Sequence, residues 1–160
     1  MTSEFFTYHK SKVIQALRYH FISRIEIKAL LIAVNVFAIF AAALFYLGKI
    51  RPQAFLISSI LWFSLMIVFW FILPALTYRN AKTFLDKFRA VLGPHHFIIE
   101  NDRGSRTWSW SDFSNWMETP HFFHLYFNSR SFFLIPKDAF EDDEVHEARK
   151  IFKAHIKKSS

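Results

Sequence analysis

Two stretches decide how this chain folds: residues 29–47, ALLIAVNVFAIFAAALFYL, and residues 54–76, AFLISSILWFSLMIVFWFILPAL. Neither contains a charged residue. At 1.5 Å per residue they make helices roughly 28 and 34 Å long, close to the hydrocarbon thickness of a bilayer. A uniformly apolar helix in a soluble protein has to be wrapped by other protein, and a chain of 160 residues has too little left to wrap two. The first stretch lacks a small-residue cleavage site and is followed at once by the second, so it reads as a span and not as a removable signal peptide. The expectation is a two-helix transmembrane hairpin over residues 29–76, turned by the six residues GKIRPQ, whose Gly48 and Pro52 suit a tight connection.

Charge gives the hairpin a direction. Its tip carries Lys49 and Arg51, whereas Lys10, Lys12, Arg18, Arg24 and Lys28 precede the first span and Arg79, Lys82, Lys87 and Arg89 follow the second. By the positive-inside rule both termini are cytoplasmic, with Tyr46 and Tyr78 at headgroup level. Residues 1–90 hold a net charge of +8 and residues 91–160 a net charge of −1. The positive field therefore belongs to the apolar part, which suits a lipid bilayer as partner and argues against nucleic acid, whose binders carry that field on the folded domain. The chain has no Cys, which excludes disulfides, a thiol nucleophile and a thiolate metal site.

Within the spans there is no Asp, Glu, Lys, Arg or His, the groups that a proton or ion path needs. Asn35 is the only amide. Pro74 cannot donate to the carbonyl of Trp70 four residues earlier. Two placements suit the Asn35 amide: a hydrogen bond to that freed Trp70 carbonyl on the antiparallel helix, or a contact outside the pair, with a partner chain or the headgroups. Ala41, Ala42 and Ala43 would permit close approach of a second copy, so homo-oligomers are a further expectation.

Outside the spans, residues 1–28 form an N-terminal cytoplasmic segment. Its stretch KVIQALRYHFISRI, residues 12–25, is amphipathic, with Val13, Ile14, Leu17, Phe21 and Ile25 on one arc. It suits either the inner leaflet or a place on the cytoplasmic domain. After the second span, Leu76, Phe84, Phe88 and Leu92 recur at multiples of four, which predicts a helical stalk over residues 77–93, stopped by Gly93-Pro94. From residue 94 the period changes to 2. Short strands are expected at HHFIIE, SRTWSW, NWME, HFFHLYF and RSFFLIP, with turns at Asn101–Gly104 and Asn128-Ser129 and a bulge or bend near Ser111-Asp112. The result is a small antiparallel β-sheet of about five strands over residues 94–160, closed by a C-terminal helix. Glu141, Asp142, Asp143 and Glu144 begin that helix and Lys153, Lys157 and Lys158 end it, a polarity that complements the macrodipole. SEFFTYH, near the N-terminus, is expected to add an edge strand.

Two elements of this region carry a family resemblance: Trp110-Ser111-Asp112-Phe113, and the hairpin arm Phe132-Phe133-Leu134-Ile135-Pro136-Lys137-Asp138-Ala139-Phe140. With two adjacent spans before them and a helix after them, they resemble the YcxB-like family of small bacterial membrane proteins over about residues 5–157. The resemblance implies a bacterial inner-membrane location and a cytoplasmic β-rich domain of pleckstrin-homology-like outline. It implies no catalytic residues.

No phosphate-binding Gly-rich loop, HExxH pattern or close His chelate is present, so catalytic, cofactor and metal sites are not expected. The fold class expected is an α+β membrane protein. Its expected role is that of a membrane-anchored, non-enzymatic cytoplasmic module that binds a protein, peptide or lipid headgroup. The alternative is an accessory or regulatory subunit of a membrane transporter or enzyme. The candidate contact residues are Arg103, Arg106 and Arg130 for anionic groups, and Phe122, Tyr126 and Phe132 for an apolar partner.

Overall fold

The computed structural model describes residues 1–157 and is α+β. It divides into two compact units. One contains residues 17–80 and is helical; the other joins residues 1–16 to the chain from residue 81 onward and is β-rich. Helix α1, Lys10–Ser23, carries the boundary between them.

In the helical unit, α2 spans Ile25–Tyr46 and α3 spans Pro52–Ile67. Gly48, at φ 67°, ends α2. The Gly48 N–H donates to the Phe45 carbonyl and the Lys49 N–H to the Leu44 carbonyl, the paired bonds of a Schellman stop, and only Gly adopts that φ without strain. Pro52 opens α3 at its first turn, where no N–H is needed. The ring of Phe45 stacks on that of Phe55 with centroids 4.4 Å apart, holding the two helices together near the turn. After Ile67 the helix widens into a π-turn, Val68–Ile72, and then resumes as α4, Leu73–Asn80. The residues Ile25–Tyr46 and Pro52–Asn80 form helices long and apolar enough to cross a membrane.

The β-rich unit contains two three-stranded antiparallel sheets, not the single five-stranded sheet expected from the sequence. The first has the order β1 (Arg89–Leu92), β2 (His96–Asn101), β3 (Gly104–Ser109). The second has the order β4 (Asn115–Glu118), β5 (Phe122–Tyr126), β6 (Phe132–Pro136). The 3₁₀ turn Trp110–Asp112 separates them, at the place where the strict alternation of the sequence breaks. Asp112 accepts from the Ser109 N–H at 2.9 Å, which caps that turn. Helix α5, Asp142–His155, closes the unit, and the chain beyond it returns to β4 through a bond from the Trp116 N–H to the Lys157 carbonyl.

Residues 77–93 are not a helical stalk. Helix persists to Asn80, a 3₁₀ turn follows over Lys82–Leu85, and Arg89–Leu92 is strand. A spacing of four places residues on one face of a helix, but it also places them on one face of a strand, because four is a multiple of two. Phe88, Ala90 and Leu92 are buried while Arg89 and Val91 are partly exposed, so period 2 governs here. The N-terminal segment lies antiparallel along β1, bridging Thr2 to Val91 and Phe6 to Phe88. Phe6 and Phe88 exchange both backbone bonds, at 2.8 and 3.0 Å, which protects an edge that would otherwise be open.

Aromatic rings fill the interior of this unit. Phe97 of β2 meets Trp110, Phe113 and Phe133, which ties the first sheet to the second. Phe152 of α5 reaches Trp110, Trp116 and Phe123, with the closest ring centroids 5.1 Å apart. Each ring removes a large apolar area from water, and the edge-on geometry of several pairs adds to that gain.

Candidate functional site

The polar feature of the β-rich unit is an open groove of about 460 Å³ where the β4–β5 turn, the 3₁₀ turn after β6 and the start of α5 converge. Two of its lining residues, Lys137 and Arg149, are held by Glu118, the last residue of β4. Alternation turns Glu118 to the same face as buried Trp116, so its carboxylate needs partners, and two cations supply them. Arg149 of α5 donates from Nε to Oε2 at 2.8 Å and from Nη2 to Oε1 at 2.7 Å. Lys137 lies 2.7 Å from Oε1, with its ammonium 5.3 Å from the centroid of the Phe123 ring. The Arg149 bonds, helped by the bond and charge of Lys137, hold the Glu118 carboxyl at about 2, well below the usual range, while burial works in the other direction. Glu118 in turn raises the Arg149 pKa.

On the rim, Lys12 pairs with Asp138 at 2.6 Å, the lysine part-buried and the aspartate more exposed. His121, Asp142 and His146 also line the groove, and among the described residues they make no side-chain hydrogen bond or ion pair. The groove therefore joins a triad of one carboxylate and two cations, with one positive charge in excess, to two imidazoles and a further carboxylate on its rim. Such a rim suits hydrogen bonds with a polar segment. No group of three or more His, Asp or Glu that could hold a metal occurs among the described residues.

The candidate contact residues named from the sequence fall elsewhere, and they do not converge. Arg103 is exposed at the β2–β3 turn, 3.5 Å from Asp86. Arg106 lies on β3 with its guanidinium 5.3 Å from the Trp108 centroid. Arg130 is exposed in the β5–β6 turn, whose backbone is held by Asn128. Phe122 and Tyr126 are interior residues, 2% and 6% exposed, and Phe132 is half-buried. Tyr8 stacks on Phe122 and donates its hydroxyl to the Leu134 carbonyl at 2.7 Å, so the N-terminal segment covers one end of this face. Phe122 and Tyr126 thus offer little surface to an outside partner.

Within the helical unit the expected bond from Asn35 to Trp70 does not form. Asn35 donates to its own helix, to the Leu31 carbonyl at 2.8 Å, and accepts a longer contact of 3.4 Å from the Trp62 indole N–H. The Trp70 carbonyl that Pro74 cannot serve is filled by Arg18, whose Nε donates to it at 2.9 Å. The guanidinium also lies 5.5 and 5.4 Å from the ring centroids of Trp70 and Phe71. Ala41 is buried within the chain, whereas Ala42 and Ala43 are exposed.

Sequence reasoning misses the groove residues Lys137 and Arg149, their partner Glu118 and the cleft residue Arg18. A signal exists for two of them. Glu118 is an acid at an inward-facing strand position. Arg18 is a cation three and four residues before Phe21 and Ile22, on an otherwise apolar stripe.

Residues 92–152 match the YcxB-like protein family. That segment of the chain is YcxB-like. It contains both quoted elements, Trp110–Phe113 and Phe132–Phe140, together with β2 through β6 and nearly all of α5. The match lies wholly within the β-rich unit. No curated protein and no solved structure matches the chain.

Proposed function

We propose that this chain is a membrane-anchored interaction module of the bacterial inner membrane. In this reading α2 and the helix running from α3 through α4 cross the bilayer as a hairpin with both termini cytoplasmic, and the YcxB-like unit, of pleckstrin-homology-like outline, presents its polar groove to a protein or peptide. The observation that carries it is the surface of the two long helices. Ile39, Ile57 and Phe63 are 70%, 68% and 63% exposed, and nearly all of both apolar windows is unburied within the chain. Each large apolar side chain left in water forfeits about 1.5–3 kcal/mol, so a whole helical surface of them favours lipid as its surrounding. The distribution of Lys and Arg about the hairpin supports the direction. The groove supports the interaction role, since His121, Asp142 and His146 stand ready on its rim.

The absence of native Cys makes a direct test available. Gln53→Cys, at the hairpin tip, should react with a membrane-impermeant maleimide on intact cells. Ser129→Cys, in the β5–β6 turn, should react only after permeabilisation. Labelling of Ser129→Cys on intact cells, or recovery of the chain in the soluble fraction, would defeat the proposal.

A further inference from the structure

A second cavity lies inside the helical unit. It is an apolar cleft of about 350 Å³ among α1, α2 and the segment from α3 into the π-turn, lined by Phe21, Leu31, Trp62, Phe63 and Met66. Two polar side chains reach it. Asn35 is committed to the Leu31 carbonyl and to Trp62, so it adds little demand for a polar ligand. Arg18 is committed only through Nε, to Trp70. Its two terminal nitrogens have no acceptor among the described residues, and its guanidinium is fixed in place by that bond and by the rings of Trp70 and Phe71.

The cleft is therefore an apolar channel with one oriented cationic fork. From this we infer that it binds an anionic phospholipid, with the phosphate on the Arg18 fork and an acyl chain along Leu31, Trp62 and Phe63. Guanidinium is suited to this task because it offers two parallel N–H groups to two phosphate oxygens and remains charged throughout the physiological range. Arg24, Lys28 and Arg79 flank the same end of the spans and raise the local concentration of anionic lipid. A free phosphate would use the fork and leave the apolar walls empty. A second copy of the chain would cover the walls and leave the fork without an acceptor. The lipid satisfies both. The π-turn is part of the same construction. Pro74 removes the donor to Trp70, the helix widens, and the bared carbonyl becomes the post that holds Arg18.

This inference rests on the membrane reading, and its test can fail separately from it. Full-length protein in a neutral maltoside detergent is titrated with phosphatidylglycerol, phosphatidylcholine or inorganic phosphate, and bound lipid is counted by native mass spectrometry. Phosphatidylglycerol should bind roughly fivefold more tightly than phosphatidylcholine, the discrimination expected of one cation at the headgroup. Inorganic phosphate should leave occupancy unchanged. Arg18→Gln should bring the two lipids to within twofold of one another, Leu31→Trp should weaken both by filling the cleft, and Lys150→Gln, an exposed position on α5, should keep the preference. Equal binding of the two lipids by the native chain would overturn the site, as would a preference that survives Arg18→Gln, or competition by inorganic phosphate alone. Crosslinking of Phe63→Cys into a dimer that excludes lipid would overturn it as well, assigning the cleft to a second copy. A negative lipid result alongside the expected maleimide labelling removes the lipid site and leaves the membrane anchor standing.

Discussion

Replacing Glu118 by Gln keeps the shape of the side chain and removes the charge that two cations share. The folded protein holds this carboxyl at about 2, against an ordinary value of 4.5. At 1.36 kcal/mol per unit that difference corresponds to at most about 3 kcal/mol. About a fifth of the side chain remains exposed, so solvent screening reduces the expected loss to about 2 kcal/mol. Arg149 and Lys137 would also be left as neighbouring cations without their anion, which acts in the same direction. Because folding lowers the pKa, the contribution is complete above about pH 4.5 and disappears as the pH falls through about 2. Near-ultraviolet circular dichroism of the detergent-solubilised full chain during thermal unfolding reads the packing of its five Trp, of which Trp108, Trp110 and Trp116 lie in the β-rich unit. Glu118→Gln should be less stable than the native chain at pH 7, and the gap should close as the pH is lowered from 4.5 to 2. A gap that stays constant over that range would mean that lost packing, not lost charge, explains the defect. No gap at pH 7 would mean that the triad does not bind α5 to β4.

Phe152→Ala should remove about 3–5 kcal/mol, because the ring is fully buried between Trp110, Trp116 and Phe123, and the same dichroism signal should show a β-rich unit that no longer holds fixed packing. Tyr8→Phe should cost about 1 kcal/mol by leaving the buried Leu134 carbonyl without its donor, measured as a lower unfolding midpoint. His20 is held near 4, from an ordinary 6.5, by burial first and by the charge of Arg24 second. Its folded pKa is depressed, so its contribution is complete above about pH 6.5 and declines as the pH falls toward 4. His20→Gln should flatten that part of the stability profile in a pH series of melting curves.

The parts legible in the sequence are those fixed by one strong local constraint. The two long apolar helices follow from charge-free runs, the turn between them from Gly48 and Pro52, the strands of the C-terminal half from alternation, and α5 from its acidic start and basic end. The misread segment is one where two periods coincide. Phe84, Phe88 and Leu92 satisfy helical spacing, but burial of Ala90 between the last two shows a strand, and a small side chain such as Ala gives hydropathy patterning little to detect. The division into two sheets is equally faint, since a bend near Ser111-Asp112 is readable and the exchange of partners across it is not. Register between strands depends on long-range contacts such as Phe97 with Phe133, which no local window contains. The same holds for the candidate contact face. Phe122 and Tyr126 have the alternation of an outward-facing aromatic row, yet both are interior: Tyr8, more than a hundred residues earlier, stacks on Phe122, and Phe132 of the next strand packs on Tyr126.

Pro74 shows where the boundary of such reasoning falls. A proline in a helix guarantees one carbonyl without its usual donor, and the sequence identifies that carbonyl as Trp70. It does not identify the donor that replaces it. Asn35 is the natural choice by depth, since it is the only amide in either span, but an amide four residues from a carbonyl of its own helix has a partner already within reach, and Leu31 takes it. Arg18 has a longer arm, and five donors that its own helix cannot satisfy. A group with an unmet demand near an unmet acceptor wins over a nearer group whose demand is met locally. By that argument Pro74→Ala should restore the backbone donor, draw the π-turn back toward α-helix and release Arg18. In that variant the new amide at position 74 should exchange slowly, and the lipid preference assigned to Arg18 should weaken because the fork has lost its post. If that amide exchanges slowly and the preference is undiminished, the Trp70 and Phe71 rings alone hold the fork, and the bared carbonyl plays no part in orienting it.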